Sequence, residues 1–600
     1  MSVKSLKQMK HLADCESAVR NASTAHQTLA TSNPKGAFQA VLSSRVHAAI
    51  LGLVLALSLC LNLAGNSWGT PDRWHPDEMD AMAAGLLAQK SLNPHFFPYG
   101  GLHYYTLAVF AAAPVGVYNY MFDRKPPETD TRALAAWRER KDTRVHILAR
   151  ATSAVMATLT VLITCLIGTM LFGRTTGLAA ALCLAVSPYV VLIAHFSTVE
   201  TAANFWYWLA AVLGVSSWKG ASRPRLALAA FVVGLAGGTK LDRLVAVIPW
   251  IAAGFTGRQR ASAAARTLLL CAALIPLGYV VANPTLLLSF YEFVDGTVKD
   301  LAFNTLRGTG ETSYGSMLSD SATGMGVALF AVSIASLAYL CVTALRGQWR
   351  REVAWLLAAT LPMYLVYGPR LSFPWYSTLL YPGLAIAAAQ GCVSLARAVP
   401  RPAAGAGITL IAAITAWSLL YSVAVDQQFI HDSRYIAAEW IETHVPAGAS
   451  LEVSRRSPIL EVGKYDIRHD AIPQDYYDNA REWRTHLDSS RLYTAVHAEL
   501  GRLRLATGSN PDSQGPAYRA WFDRVTAPPP PAQEAATAGS PPDYRVVVDY
   551  LDGSLLRKLQ APGSHYEQAA VFHYRHPLGL DIPFAFVNPT IYVFRRNPAP

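Results

Sequence analysis

The sequence predicts an α-helical polytopic membrane protein that carries a small soluble α/β domain in its C-terminal part. Three observations lead to this prediction. Of the 600 residues, 52% are hydrophobic and only 15% are charged, which is more apolar than a soluble chain of this size needs. Several uncharged stretches are long enough to cross a bilayer. After residue 425 these stretches end, and patterns typical of a soluble domain replace them.

Eleven apolar stretches are candidate membrane spans. Two of them, 226–238 and 241–255, are shorter than the roughly 20 residues of a complete span, so we expect a tilt or a polar break at Thr239 and Lys240. The fold class is therefore an α-helical membrane domain of about 11–13 membrane helices. The stretches are 46–65, 147–172, 176–194, 201–218, 226–238, 241–255, 267–281, 324–345, 353–367, 377–396 and 408–425.

The loops between these spans alternate in charge, and this alternation sets the orientation. One set is basic, with Arg174 and Lys219 among its members, and the opposite set carries acidic residues such as Glu200 and Asp242. An excess of Lys and Arg marks cytoplasmic loops. We therefore expect the large loop 66–146 and the C-terminal domain to lie on the outer face of a bacterial inner membrane.

Composition divides the chain into three parts. Residues 1–45 are expected to be a disordered cytoplasmic segment, 46–425 the transmembrane domain, and 426–600 an outer α/β domain with a Pro/Ala-rich insertion at 527–542. The apolar stretch 102–122 is long enough to cross, but a crossing would invert the charge pattern. We interpret it as a membrane-embedded or re-entrant part of the outer loop.

Periodicity within the C-terminal part predicts one helix and four strands. The helix covers 433–444 and ends before a Pro-Ala-Gly turn. The alternating apolar runs predict strands at 450–454, 544–550, 569–574 and 590–594.

Charge and cysteine usage exclude two classes of protein. A net charge of +11 would suit a nucleic-acid partner, but the Lys and Arg residues are spread between apolar stretches rather than gathered into one stripe. Membrane topology accounts for the charge, and no nucleic-acid partner is expected. The seven cysteines form no CxxC pair and none follows Cys392, so neither a disulfide framework nor a cysteine-based metal site is expected.

Asp77 and Glu78 form the acidic pair of an HPDE motif at 75–78, just after the first span. Carboxylates close to lipid are costly and usually mark a site. The alternative is that they cap a helix predicted over 79–90, where acidic residues suit the positive end of the helix dipole. A cap accounts for only one of the two carboxylates, so we favour a functional site.

HPDE is the first of a series of local motifs that runs from about residue 46 to residue 448. The others, in order, are NPHFFPYGGLHYY (93–105), LFGR (171–174), SPYVVLIAHFSTVE (187–200), GLAGGTK (234–240), FPWYSTLLYPGLAIAAA (373–389) and DSRYIAAEWIETHVPAG (432–448). This series resembles the bacterial protein-mannosyltransferase-like, GT-C-type glycosyltransferases of the phospholipid-carrier-dependent family 39. Such enzymes move a sugar from a polyprenyl-phosphate carrier to an acceptor on the outer face of the membrane.

The resemblance implies roles for three acidic residues. It makes Asp77 the catalytic base, Glu78 its neighbour and Glu200 a second acidic site, at a position where the family often has Asp. A carboxylate suits the first role, because the attacking hydroxyl must lose its proton as the new bond forms.

The leaving lipid phosphate needs cations to stabilise its charge. Arg150 could instead snorkel from a helix start, and Arg243 could pair with Asp242 or Glu200. The candidate phosphate ligands lie at the outer ends of separate spans: Arg150, Lys240, Arg243 and Arg370.

Aromatic residues near the acidic pair could line the substrate site or belong to an interfacial belt. Trp375 and Tyr376 are further candidates for stacking on a sugar or prenyl chain. The main candidates for lining the site are His75, His103, Tyr104 and Tyr105.

The sequence thus predicts an inverting glycosyltransferase with a polyprenyl-phosphate-linked sugar as donor substrate and a protein, lipid or cell-envelope glycan as acceptor. No cofactor is expected. His95 and His195 also lie near the acidic motifs, but their spacing matches no compact metal-binding motif, so a divalent metal is not expected either. The alternatives are a transporter or flippase of a lipid-linked sugar, whose ionisable residues would lie near the midplane, and a non-catalytic scaffold.

Overall fold

The computed structural model confirms the predicted class, because the described chain is mostly helical and ends in a five-stranded sheet. Arg370, residues 1–33 and residues 527–540 of the predicted insertion lie outside the described part. The structure describes residues 34–220, 223–255, 261–306, 314–368, 373–398, 401–454, 456–461, 463–469, 541–551, 553–584 and 586–598, with a few positions between 490 and 503.

Each of the eleven predicted spans is occupied by a helix or by a pair of helices. Within the described residues, four helices are long and apolar enough to cross a membrane alone, and a bent pair makes a fifth. The predicted number of crossings stays a prediction. The helices over the predicted spans are Arg45–Leu63, Thr131–Phe172, Arg174–Ala185 with Pro188–Ala194, Val199–Gly220, Arg223–Thr239, Val247–Phe255, Ala261–Ala282, Val327–Leu345, Arg350–Tyr367, Tyr381–Ala398 and Arg401–Ile430.

Shorter helices connect these elements. The predicted re-entrant stretch is helical throughout, with a π-helical turn in its middle, and it exposes a row of large apolar side chains. Its position in the membrane stays a prediction. The shorter helices are Pro34–Leu42, Asp80–Gln89, Gly101–Leu107, Ala113–Phe122, Thr285–Leu288, Phe290–Leu306 and Tyr314–Met325, with 3-10 helices at Leu241–Ala246 and Pro374–Leu380.

The helical segments over the predicted spans are broken at two places. The helices Arg174–Ala185 and Pro188–Ala194 meet at an angle of 62°, because Pro188 lacks the N–H that would continue the first helix and its ring clashes with the preceding turn. At Lys240 the backbone is extended, with φ −149° and ψ 124°, and a 3-10 helix follows. This second interruption is the polar break that the sequence predicts.

The last part of the predicted outer loop is helical, because a 42-residue helix, Thr131–Phe172, begins fifteen residues before His146. Asp130 caps it by accepting a hydrogen bond from the amide of Ala133 at 2.9 Å. At 1.5 Å per residue the helix is about 63 Å long, roughly twice the thickness of a hydrocarbon core. The helix is therefore longer than a single span requires, and His146 and Arg150 lie on its buried face.

The C-terminal domain is a mixed sheet with the strand order β2-β1-β3-β5-β4. The helix Ser433–His444 has the predicted bounds and packs on the sheet. Strand β2 was missed because its sequence, DIRH, lacks apolar alternation, and it lies parallel to β1 at the sheet edge. The strands are β1 (Ser450–Val453), β2 (Asp466–His469), β3 (Tyr544–Val548), β4 (Tyr566–Phe572) and β5 (Ile591–Arg596), with a helix at Gly553–Gln560.

This domain packs directly against the loop that follows the first span. The indole N–H of Trp68 donates to Asp432 Oδ2 at 2.9 Å, and the guanidinium of Arg434 lies 3.7 Å from the centre of the Trp74 ring. Asp432 and Arg434 form an ion pair of 2.7 Å in which both side chains are fully buried. The soluble domain is therefore part of the wall around the HPDE motif.

Candidate active site

Glu78 and Arg150 form a fully buried, two-pronged ion pair. Arg150 Nε donates to Oε1 of Glu78 at 2.7 Å, and Nη2 donates to Oε2 at 2.8 Å. The remaining terminal nitrogen donates to the carbonyls of Asn66 at 3.1 Å and Trp68 at 2.5 Å. Every nitrogen of this guanidinium is thus occupied, so the phosphate-binding role predicted for Arg150 has no support in the geometry. Its position suits the orientation of Glu78.

A line of ionisable side chains continues from Glu78 through His146. His146 Nε2 lies 3.3 Å from Glu78 Oε2, and its Nδ1 lies 3.1 Å from Asp80 Oδ1. Arg73 in turn donates to Asp80 Oδ2 at 2.9 and 3.0 Å. The loop and the long helix are therefore joined by paired charges, which buried ionised groups require.

Both carboxylates of this line stay ionised. Burial alone would raise the pKa of Glu78, but the Arg150 guanidinium and His146 hold that pKa below its usual value. Burial is likewise overcome at Asp80, whose pKa is lowered by His146 and Arg73. Glu78 is therefore a fixed counter-ion, and the proton-accepting role falls to its neighbour.

His75 shapes the backbone at Asp77. The amide of Asp77 donates to Nδ1 of His75 at 3.1 Å, so this ring nitrogen is an acceptor. The imidazole ring lies 4.3 Å from the ring of Phe196 and 4.8 Å from that of Phe586, measured between centroids. Burial lowers the pKa of His75 to about 4. His75 is thus neutral and supports the loop, rather than lining the substrate site as predicted.

The Asp77 carboxylate is available for chemistry. It is half-buried, and within the described residues it accepts no hydrogen bond and forms no ion pair. Burial and the nearby Glu200 carboxylate raise the pKa of Asp77 to about 6, against the opposing charges of Arg456 and Lys240. An unpartnered carboxylate that titrates near neutral pH suits a general base.

Glu200 and Lys240 form an ion pair whose charges act on Asp77. Lys240 Nζ lies 3.2 Å from Glu200 Oε1 and 4.1 Å from the centre of the Tyr376 ring. Glu200 lies in the first turn of the helix Val199–Gly220, and Lys240 lies at the polar break. The motifs that carry Asp77, Glu200 and Lys240 thus lie close together.

Arg243 pairs with Asp242, which is one of the alternatives that the sequence offered for this residue. Its Nη1 donates to Asp242 Oδ1 and to the hydroxyl of Tyr367, both at 2.8 Å, and its Nη2 donates to Asn204 at 3.1 Å. The side chain is 1% exposed. These contacts support a structural role, and the predicted phosphate role of Arg243 has no accessible group to carry it.

Close backbone packing between two glycine-rich motifs fixes the site. The amide of Gly100 donates to the carbonyl of Thr239 at 2.9 Å, and the amide of Gly101 donates to Asn283 Oδ1 at 2.6 Å. A Cβ atom at Gly100 would lie 1.8 Å from the carbonyl oxygen of Gly238. Gly100 therefore allows the outer loop to approach the chain just before Lys240.

Gly100→Ala should separate these two segments and destabilise the protein by about 1–3 kcal/mol, the usual effect of overpacking. Sugar transfer, if present, should fall with it. Thermal unfolding of the purified variant measures the first effect. Gly116→Ala is the matched control, because no atom lies within 4 Å of a Cβ there. Equal unfolding temperatures for the two variants would contradict the role of this contact.

Ser197 links two of the motifs through its backbone. Its amide donates to Glu78 Oε1 at 3.1 Å, and its carbonyl lies 3.4 Å from the amide nitrogen of Met79 and 3.0 Å from Nε2 of His103. His103 is 1% exposed. It therefore supports the loop from behind, which corrects its predicted position in the substrate site.

The two predicted tyrosines are also structural. Tyr104 is fully buried in a cluster with Met79 and Leu86, and the hydroxyl of Tyr105 donates to the Leu92 carbonyl at 2.7 Å. Tyr99, from the same motif, was missed. Burial and the Asp77 and Glu200 carboxylates raise its pKa, which places its hydroxyl near both.

Within the described residues, no group of three or more His, Cys, Asp and Glu side chains could hold a metal ion. The described site offers an unpartnered carboxylate at Asp77 and a largely buried ion pair between Glu200 and Lys240.

No family model and no curated protein matches the chain. Among solved structures, it is similar to ArnT from Cupriavidus metallidurans bound to undecaprenyl phosphate, with 13% identity, 91% of this chain and 97% of ArnT covered, and a TM-score of 0.45. It is also similar to the apo oligosaccharyltransferase of Archaeoglobus fulgidus, with 14% identity and a TM-score of 0.44. That match covers 67% of this chain and spans 58% of the oligosaccharyltransferase.

A third similar structure is the same archaeal enzyme, AglB, in complex with an inhibitory peptide and a dolichol-phosphate, with 13% identity and a TM-score of 0.37. These structures do not distinguish a mannosyltransferase-like subgroup. Their TM-scores are below 0.5, and they do not establish the activity of this protein.

Proposed function

We propose that this protein is an inverting glycosyltransferase that moves a sugar from a polyprenyl-phosphate-linked donor to an acceptor on the outer face of the membrane. The observation that carries the proposal is the Asp77 carboxylate, which is unpartnered within the described residues and has a pKa of about 6. It faces the Glu200 and Lys240 pair, and the loop that holds it is fixed by Glu78 and Arg150.

The proposed reaction is a single displacement at the anomeric carbon of the sugar. The acceptor oxygen forms a bond to this carbon while the bond to the phosphate oxygen breaks, so the configuration inverts. Asp77 takes the proton of the acceptor hydroxyl. The phosphate leaves with the bonding electron pair, and nearby cations such as Lys240 stabilise its developing charge.

Purified protein in lipid vesicles provides the test. We would supply polyprenyl-phosphate mannose, glucose and a pentose, each with a labelled sugar, together with membrane extract as acceptor source. The expected result is release of free polyprenyl phosphate and a labelled product of inverted anomeric configuration. Movement of intact labelled lipid between leaflets without bond cleavage would instead support the transporter alternative.

The pH dependence of transfer should report Asp77. Below about pH 6 the carboxylate is protonated and cannot accept the hydroxyl proton, so kcat/KM should fall as the pH decreases through that value. Glu200→Gln removes a like charge that raises the pKa of Asp77. The acid limb of its kcat/KM profile should therefore move to lower pH, and an unmoved limb would mean that another group is the base.

A further inference from the structure

A turn of the C-terminal domain lies beside the motif that contains the proposed base, Asp77. Arg456 follows β1 and has φ +56°, a left-handed conformation that non-glycine residues rarely adopt. Arg434 holds this turn by donating from Nη1 to the Arg456 carbonyl at 3.5 Å and from Nη2 to the Phe586 carbonyl at 2.8 Å. Since the Phe586 ring packs on His75, the turn is fixed beside the HPDE motif.

The charge of Arg456 acts on the catalytic loop. Its guanidinium opposes the rise in the pKa of Asp77 and lowers that of His75. Burial raises the pKa of Tyr550, and the charge of Arg456 opposes that rise. The ring of Tyr550 packs on Phe586 with centroids 5.6 Å apart. The turn that carries Arg456 therefore lies where the sheet domain contacts the HPDE loop.

Five other cations of the described part of the chain near this loop have carboxylate partners. Arg150 pairs with Glu78, Lys240 with Glu200, Arg243 with Asp242, Arg73 with Asp80 and Arg434 with Asp432. Arg456 is half-buried and forms no such ion pair within the described residues. Its guanidinium therefore has capacity for an incoming anion.

We propose that Arg456 binds the phosphate group of the polyprenyl-phosphate donor, so that the C-terminal domain supplies a ligand to the active site. This inference rests on the proposed glycosyltransferase function. A guanidinium offers a planar fork that matches two phosphate oxygens. The prenyl chain enters from the membrane and Arg456 approaches from the outer domain, so the phosphate is held between Lys240 and Arg456 while its negative charge develops.

Binding of undecaprenyl phosphate to the purified full-length protein tests this directly, because it needs neither the sugar nor the acceptor. Arg456→Asn removes the charge and keeps a residue that tolerates a left-handed backbone. Loss of charge-assisted hydrogen bonds should weaken binding about 10- to 100-fold. Arg456→Lys should bind with an intermediate affinity, since an ammonium lacks the planar fork.

Arg595→Ala is the matched control, because this arginine of the same domain is 57% exposed and pairs with Glu567 on the outer hairpin. It should bind undecaprenyl phosphate as the parent does. An unfolding temperature of Arg456→Asn close to that of the parent shows that the fold is retained.

Two other outcomes would contradict the inference about Arg456 or the proposed function. If Arg456→Asn binds undecaprenyl phosphate as tightly as the parent while the acid limb of kcat/KM moves to higher pH, Arg456 only tunes Asp77 and the inference is wrong. If the parent itself binds no undecaprenyl phosphate, the proposed function fails, and the inference fails with it.

Discussion

Asp77→Asn should abolish sugar transfer while the protein stays folded. The amide keeps the shape of the side chain but cannot accept the hydroxyl proton, and loss of a general base lowers turnover by about 10²- to 10⁴-fold. The fold should tolerate the change because the Asp77 carboxylate has no hydrogen-bond partner within the described residues. Turnover of a labelled donor and thermal unfolding, measured on the same preparation, check both parts.

Binding of undecaprenyl phosphate by Asp77→Asn should be at least as tight as in the parent, because a negative charge near the phosphate is removed. Glu78→Gln makes an informative contrast. It removes the charge that pairs with Arg150 inside the protein, so its main effect should be on stability. Turnover of Asp77→Asn near the parent rate would exclude Asp77 as the base.

Arg150→Ala should destabilise the protein severely. The change leaves the Glu78 carboxylate buried without its main counter-ion and removes the donors to the Asn66 and Trp68 carbonyls. Breaking a buried ion pair in this way typically lowers stability by about 3–5 kcal/mol. Chemical or thermal unfolding of purified protein in detergent measures the loss.

Arg140→Ala is the control on the same helix, because its side chain is 52% exposed and its ion pair with Asp123 lies at the surface. That change should alter stability by less than about 1 kcal/mol. Arg150→Lys should restore only part of the loss, since one ammonium cannot reproduce the two-pronged contact with Glu78. Normal stability of Arg150→Ala combined with lost donor binding would restore the phosphate role that the sequence suggested.

The sequence predicted the helical class and the helix of the C-terminal domain. Apolar length and period determine both, because they are local properties of the chain. The loop charges placed Asp77, Glu200 and Lys240 on one face of the predicted membrane domain, but they did not show that the three residues meet. The structure brings their segments together through the contact of Gly100 with Gly238, which has no room for a side chain on Gly100.

The roles of the cations could not be predicted in the same way. Arg150 and Glu78 are 72 positions apart, and no local pattern shows that the guanidinium is already occupied. Arg456 lies in a domain without a recognised motif, so only its position in the fold connects it with Asp77. A buried cation and an available one look alike in a sequence, because the difference is made by partners from distant elements.

The contact between Trp68 and Asp432 also constrains the order in which the protein can be made. These residues are 364 positions apart, and the amide of Asn588 donates to the same carboxylate at 2.7 Å. During synthesis the loop after the first span must wait until the sheet domain has been made. Forming such non-local contacts is slow. Incomplete chains therefore lack the wall around His75 and Asp77, and the fold itself delays completion of the candidate site until assembly is finished.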